Sequence, residues 1–283
     1  MDEKTLNDYK CGPQLRPDIA FLSDEELPKL SVLTPTYNRR KFLTLASFNL
    51  HIMDYPKDKL EWVILDDGDE PFFPTTQDLD NCRKYLRPMK INYVRTAANT
   101  RHMSIGEKRN KLVKMSSNKI CAFLDDDDIY LPSYLRYSIS MMKHYKAGLC
   151  ASPEMYFIFP FDEWKTSMIR CAAKRQGHEA TMVFTKKFFN SMPGFNKSSQ
   201  GEGAGMVDWN EKNVIKTECD KIMICVSHKD NTIPKDREDF KKNETQLAID
   251  LPHFKILEDI LGVKYIKKIY PNNIENVPKE KSE

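Results

Sequence analysis

Through the first half of this chain, short apolar runs alternate with segments of helical period, and this alternation constrains the fold more than any other feature. "KLSVLTP" closes at a proline and is followed by Arg39 to Met53, where Phe42, Leu45, Ala46, Phe48, Asn49 and Ile52 give a largely apolar helical face. "LEWVILDDGD", "KINYVRT" and "KICAFLDDDD" read as the second, third and fourth strands. A helix over Ser104 to Met115 lies between the last two, with Ile105, Leu112 and Met115 on one side. Strand and helix in this order imply parallel βαβ units with right-handed crossovers. The expected fold class is therefore α/β, an open, mostly parallel sheet flanked by helices. Short, apolar strands of this kind suit burial on both faces. Ligands of such sheets bind beyond the carboxyl ends of the strands. Here those ends carry PTYNR, DDGDE and DDDD, so three polar loops are expected on one rim.

Composition limits what that rim can serve. Of the 283 residues, 40% are hydrophobic and 11% aromatic, enough to build the core of one large domain or two small ones. The 44 basic and 41 acidic residues are interspersed, so no field of one sign is available to hold a nucleic-acid backbone. Nucleic acid is not an expected partner. Seven cysteines, at 11, 82, 121, 150, 171, 219 and 225, lack the paired spacing of a zinc site and read as buried thiols in a reducing compartment. The opening MDEKTLNDYK does not have the form of a signal peptide, and no apolar run reaches membrane-spanning length. A cytoplasmic protein is expected, with peripheral membrane contact through the C-terminal segment left open.

The stretch FLDDDDIYLP places four carboxylates in succession directly behind an apolar strand. A solvated acidic loop is one reading. Against it, the run begins at a strand end, a second pair stands at Asp66 and Asp67, and Pro132 opens a helix with Leu135, Ile139 and Met142 on one face. Carboxylates bracketed by a strand and a helix repel one another unless a cation offsets them. Hard oxygen ligands on one short loop suit Mg²⁺ or Mn²⁺, which take their remaining ligands from water and phosphates. The expectation is a divalent metal that carries a diphosphate.

The succession SVLTPTYNR, WVILDDGDE, GEKRN, FLDDDDIYLP, MPGF and GEGAGMVDW resembles the GT-A glycosyltransferases, family 2 in particular, over roughly Leu30 to Thr232. The resemblance implies transfer of a sugar from a nucleotide diphosphate, with UDP the expected carrier, and inversion at the anomeric carbon. It places Pro35, Thr36, Tyr37 and Arg39 around the nucleotide, with Tyr37 against the base and Asp67 accepting the N3 hydrogen of uracil. Asp125 falls near the ribose, Asp126 is secondary, Asp127 ligates the metal, and Asp128 caps the following helix. Gly106 gives close approach in a segment placed against the donor. Lys108 or Arg101 reaches the diphosphate, while Arg109 and Asn110 order the entry to the fourth strand. Turns, helix caps and surface bases are the structural alternatives for these residues.

In the second half, GHEATMVFTKKFFNSMPGF reads as a strand, a short basic helical turn and a Pro-Gly turn, the region where the family seats its acceptor. In QGEGAGMVDW, where the family carries an acidic base, Glu202 is the first candidate and Asp208 the second; Gly203 stands where a second acidic residue is usual. KIMICVSHKDNT is a further strand ending at His228, which the resemblance makes a candidate metal ligand, and its H-x-x-N-T ending is similar to that of relatives in large DNA viruses. The expected organisation is an N-terminal arm (1–28), a GT-A domain (29–236) with nucleotide-binding (29–130) and acceptor-binding (131–236) halves, and a C-terminal helical extension and tail (237–283), its helix opened by Pro252. The expected acceptor is a hydroxyl of a glycan or another molecule. Two other readings stay open: a nucleotide-sugar pyrophosphorylase, disfavoured because PTYNR has no glycine to cradle phosphates, and a non-catalytic nucleotide-sugar or carbohydrate-binding module.

Overall fold

The computed structural model describes residues 19–96, 101–170, 177–207, 214–231, 244–245 and 252–264. The chain runs β1 (Leu30–Thr36), α1 (Leu43–Ile52), β2 (Leu60–Asp66), α2 (Thr76–Tyr85), β3 (Lys90–Arg95), α3 (Ile105–Met115), β4 (Ile120–Phe123), β5 (Ile129–Tyr130) and α4 (Tyr134–Tyr145). It continues through β6 (Leu149–Ala151), β7 (Glu154–Phe159), β8 (Lys165–Arg170), β9 (Val183–Thr185), α5 (Lys186–Asn190), β10 (Val214–Lys216), β11 (Met223–Val226), β12 (Glu244–Thr245) and α6 (His253–Leu261).

The larger sheet has the order β10-β6-β9-β4-β1-β2-β3. Its β4-β1-β2-β3 half is parallel throughout, with Val32 opposite Trp62 and Ala122. Only β9 runs against its neighbours β4 and β6. β1 and β2 are buried along almost their whole length, as their apolar sequences require. Thr34 is tolerated within β1 because its hydroxyl donates to the Leu124 carbonyl and accepts from Trp62 Nε1, at 2.7 and 2.8 Å. β3 is the edge strand and stays partly exposed.

The helix expected over Arg39 to Met53 forms as a 3-10 turn at Arg40–Phe42 followed by α1. α3 starts where Ser104 and Glu107 make a capping box, each side chain receiving the other's backbone N–H. Two features were not legible in the apolar pattern. α2 is largely polar and buries only Cys82, although Thr75 and Asp78 mark its start with another capping box. The second is a smaller sheet of order β12-β8-β7-β11-β5, which stands beside the rim.

Residues 19–28 lie along α4: Leu22 N donates to Ser140 Oγ at 3.0 Å, and Arg136 pairs with Asp24. The C-terminal helix α6 buries Phe254 and Leu257 in a cluster with Phe42 and Leu45. Cys82, Cys121, Cys150, Cys219 and Cys225 are buried free thiols. Among the described residues no helix is long and apolar enough to cross a membrane. The stretch after residue 264 lies outside the described residues, so the expected C-terminal tail is not among them.

Candidate active site

The first two rim loops are pinned to each other. Asn38 adopts a left-handed backbone (φ 52°), and its side-chain oxygen accepts from Glu70 N at 3.0 Å. Gly68 packs so closely that a Cβ there would lie 2.6 Å from Asn38 N. Asp66 organises the second loop, accepting from Gly68 N, Phe72 N and the Tyr93 hydroxyl. Asp67 is buried: Oδ1 accepts from Lys108 Nζ at 2.6 Å and Oδ2 from Met103 N at 2.7 Å. Lys108 Nζ also donates to the Thr36 carbonyl, so one buried ammonium ties α3 to both loops. Tyr37 is half exposed at the rim, with the His102 ring edge-on at 4.7 Å.

The four aspartates are compensated one by one, each by a different element. Asp125 makes a two-pronged ion pair with Arg109, at 3.2 and 3.1 Å. Asp126 is buried against the Thr36 hydroxyl, 2.5 Å from its Oδ2. Burial and then the neighbouring Asp127 charge push the Asp126 carboxyl well above its ordinary range, which favours its protonated form. Asp127 Oδ2 meets Arg39 Nη1 at 2.5 Å and His228 Nε2 at 3.0 Å. Asp128 accepts from Val226 N at 2.8 Å. Asp128 was expected to cap the next helix; instead it joins the loop to β11, and Ser133 stands at the N-cap of α4. The reason is proximity in the second sheet, where β5 pairs with β11 directly after the aspartates.

Arg109 is the centre of the site's buried charge. Its guanidinium holds Asp125 on one side, and its Nε donates to Glu202 Oε1 at 3.1 Å on the other. Its Cζ stands 4.3 Å from the centre of the Phe123 ring. Burial alone would lower the Arg109 pKa, but Asp125 and Glu202 more than reverse that and raise it. For Glu202, burial raises the carboxyl pKa, Arg109 lowers it and Glu179 raises it, and the outcome is above the ordinary value. Glu202 begins a 3-10 turn (Glu202–Gly205) that packs on the start of α3, where a Cβ at Gly106 would lie 1.8 Å from the Asn196 carbonyl oxygen. Gly106 does permit a close approach, and it is to this backbone.

These groups surround one cavity of about 670 Å³. Its lining includes Pro35, Thr36, Tyr37 and Arg39, the run Asp125 to Asp128, and Lys108, Arg109, Glu179 and Glu202. Met155, Phe157 and Ile169 from the second sheet, with Cys225, form an apolar wall. The remaining nominated residues stand apart from the lining. Asp67 and His228 act from behind, through Lys108 and Asp127. Arg101 is exposed and pairs with Glu107. Asn110 clamps both backbone groups of Phe195, and that ring packs in the core with Phe123. Asp208 lies outside the described residues. Glu179, Asp230, Asn231 and the apolar wall were not nominated from sequence. H-x-x-N-T placed Asp230 and Asn231 within reach of His228, but nothing in the spacing marked Glu179 or the wall.

Asp127 in the lining, with His228 buried behind it, is the pair whose chemistry suits a divalent cation, offering one carboxylate oxygen and one imidazole nitrogen. Among the described residues, no group of three or more His, Cys, Asp or Glu side chains is gathered to hold a metal. Water and diphosphate oxygens would have to supply the remaining ligands, as Mg²⁺ and Mn²⁺ commonly accept. Asp230 N donates to His228 Nδ1 at 3.2 Å, so the ring hydrogen is assigned to Nε2, facing Asp127. A metal on Nε2 requires the other tautomer, and the Asp230 carboxylate, paired with Lys41 and 3.9 Å from Nδ1, would have to close to hydrogen-bond distance to accept its hydrogen. The residues fit, provided Arg39 gives up its hold on Asp127.

The chain matches the family model described as glycosyl transferase family 2 over residues 31–202. It is 31% identical over 135 residues to a UDP-forming cellulose synthase catalytic subunit of Pseudomonas fluorescens, covering 47% of this chain and 17% of that one. It is 33% identical over 100 residues to the poly(ribitol-phosphate) beta-N-acetylglucosaminyltransferase TarS of Staphylococcus aureus, covering 35% and 16%. The chain thus spans about a sixth of the length of the curated relatives it matches. Two solved structures share its fold. The mannosyltransferase PcManGT of Pyrobaculum calidifontis, in complex with GDP-Man and Mn²⁺, superposes with a TM-score of 0.57 at 15% identity, over 79% of this chain and 63% of that one. S. aureus TarS 1-349 in complex with UDP-GlcNAc gives 0.53 at 16%, over 82% and 65%. The α/β fold with its open, mostly parallel sheet is the GT-A architecture expected, and with more than half of its length matched by the family model, the chain belongs to glycosyltransferase family 2.

Proposed function

We propose that this protein is a metal-dependent, inverting glycosyltransferase that moves a sugar from a nucleotide diphosphate, with UDP as the carrier, to a hydroxyl of a glycan or similar acceptor. One observation carries this reading: a single cavity is lined both by the Asp127–Arg39 cluster suited to a diphosphate and by a buried carboxylate, Glu202, whose affinity for a proton is raised. UDP-GlcNAc in the TarS complex and GDP-Man with Mn²⁺ in the mannosyltransferase support the donor class.

In this reading Tyr37 and Pro35 receive the base, and Asp67, buried behind the lining with its oxygens held by Lys108 and Met103 N, accepts from uracil N3 once the rim loop turns it toward the cavity. Asp127 and His228 would hold Mn²⁺ or Mg²⁺, which when bound would supply charge neutralisation for the departing diphosphate. Arg39 turns from Asp127 to the phosphate oxygens. Asp125 stays fixed by Arg109 near the ribose. On the opposite face of the sugar, Glu202 takes the proton of the acceptor hydroxyl as its oxygen attacks the anomeric carbon, which gives inversion without a covalent intermediate. Asp208 is the second candidate for that step. A binding module would have no use for such a base, and turnover of labelled donor separates the two readings. Calorimetric titration of UDP with Mn²⁺ and again with excess chelator tests the donor site. A large loss of affinity on chelation is expected, and equal affinity in both conditions removes the metal bridge.

A further inference from the structure

We infer that Glu179 is a positioning residue for Glu202: it pins the peptide that follows Glu202 and sets the charge that Glu202 faces. The inference rests on the reading of Glu202 as the proton acceptor.

Glu179 opens a 3-10 turn (Glu179–Thr181) just ahead of β9 and lines the same cavity as Glu202. Its Oε1 accepts from Gly203 N at 2.9 Å, fixing the residue next to Glu202 from a segment 24 positions earlier. The fit depends on glycine. A Cβ on residue 203 would stand 2.5 Å from Glu179 Cγ and 2.9 Å from its Oε1, so any other residue at 203 would displace the Glu179 side chain. The missing side chain at 203 is thus matched by a carboxylate arriving from elsewhere in the chain.

The charges around Glu202 give that carboxylate its consequence. Arg109 of α3 donates directly to Glu202 and by itself would make it a poor proton acceptor. Asp125, beyond Arg109 at the end of β4, takes part of the guanidinium's charge, and His178 lines the cavity beside Glu179. Glu179 opposes Arg109 and raises the proton affinity of Glu202. The transfer step then balances: the acceptor O–H breaks, its proton goes to Glu202, the oxygen lone pair forms the bond to the anomeric carbon, and the sugar–phosphate bond breaks with its electrons leaving on the diphosphate.

Glu179→Gln keeps an oxygen for Gly203 N and removes the charge; Glu179→Ala removes both. In protein labelled with ¹³C at the glutamate carboxyls, the Glu202 resonance is assigned by its loss in Glu202→Gln. Its titration midpoint should move to lower pH in Glu179→Gln, while urea unfolding of that variant stays close to wild type. The rising limb of the pH profile for hydrolysis of UDP-GlcNAc with Mn²⁺ should move in the same direction. An unchanged Glu202 midpoint in Glu179→Gln overturns the inference, whatever the turnover. A falling midpoint in a protein that turns over no nucleotide sugar supports the pairing and refutes the transferase reading instead.

Discussion

Replacing Arg109 with Met tests whether one buried guanidinium holds Asp125 and Glu202 together. The side chain is 4% exposed, and so is almost fully screened from water; Glu202 is 6% exposed and Asp125 22%. Breaking a buried ion pair by removing one partner typically costs about 3–5 kcal/mol, because the remaining charge is left buried and uncompensated. Most of that cost should come from Glu202, since water can reach Asp125 in part. The desolvated contact with Phe123 is worth about 2 kcal/mol, much of which a methionine packed on the same ring would keep. The expected loss is therefore about 4 kcal/mol in urea unfolding at pH 7.5, or about 10 °C in melting temperature for a chain of this size. The loss should shrink as pH falls through the carboxylate range, because protonating Glu202 removes the charge that Arg109 no longer balances. Arg109→Lys keeps the charge but not the two-pronged geometry and should recover about half. In the double variant with Glu202→Gln, the cost should be smaller than the sum of the single changes. A loss below about 1 kcal/mol, or one independent of pH, refutes this account of the network.

Burial lowers the His253 pKa from 6.5 to about 4, and His253 Nε2 lies 3.0 Å from Asn49 Oδ1, which also accepts from Tyr130 N beside the aspartates. The neutral ring is favoured in the fold, so this stabilisation is full above pH 6.5 and is lost as pH falls toward 4, about 3 kcal/mol in all. Urea unfolding across that range should show a steeper loss for wild type than for His253→Gln. Gly106→Ala should cost about 2 kcal/mol or more, since the added methyl meets the Asn196 backbone and not a movable side chain; denaturant midpoints decide it. Asp67→Asn should weaken UDP much more than pyrophosphate in calorimetry, and equal losses for both would make Asp67 purely structural.

The strands β1, β2 and β4 and the rim they share were legible because their apolar runs are short, buried and closed by Pro or Asp. The pairing of Asp127 with His228, 101 residues apart, was legible only through the family resemblance. What escaped the sequence depends on contacts that spacing does not encode. α2 buries too little to show a period. Lys108 and Arg109 are adjacent on a helix that otherwise reads as having an exposed basic side, yet both are buried because the start of α3 points its bases into the loops. Arg109 was read as ordering a strand, and its bridge between Asp125 and Glu202 appears only once Glu202 folds back over α3. Glu179 sat within an ordinary strand-like stretch, and Gly203, noted as a departure from the family pattern, was the one sequence mark of the space it fills.

The most direct test of the central claim is UDP release from UDP-sugars with Mn²⁺, followed side by side with UDP affinity in wild type, Glu202→Gln and Asp208→Asn. Glu202→Gln should bind UDP as wild type does while losing about 10² to 10⁴ in rate, the usual contribution of a positioned base. Full activity in Glu202→Gln, with Asp208→Asn inactive but still binding UDP, would move the base to Asp208. Tight UDP binding with no release from any UDP-sugar would contradict the transferase itself.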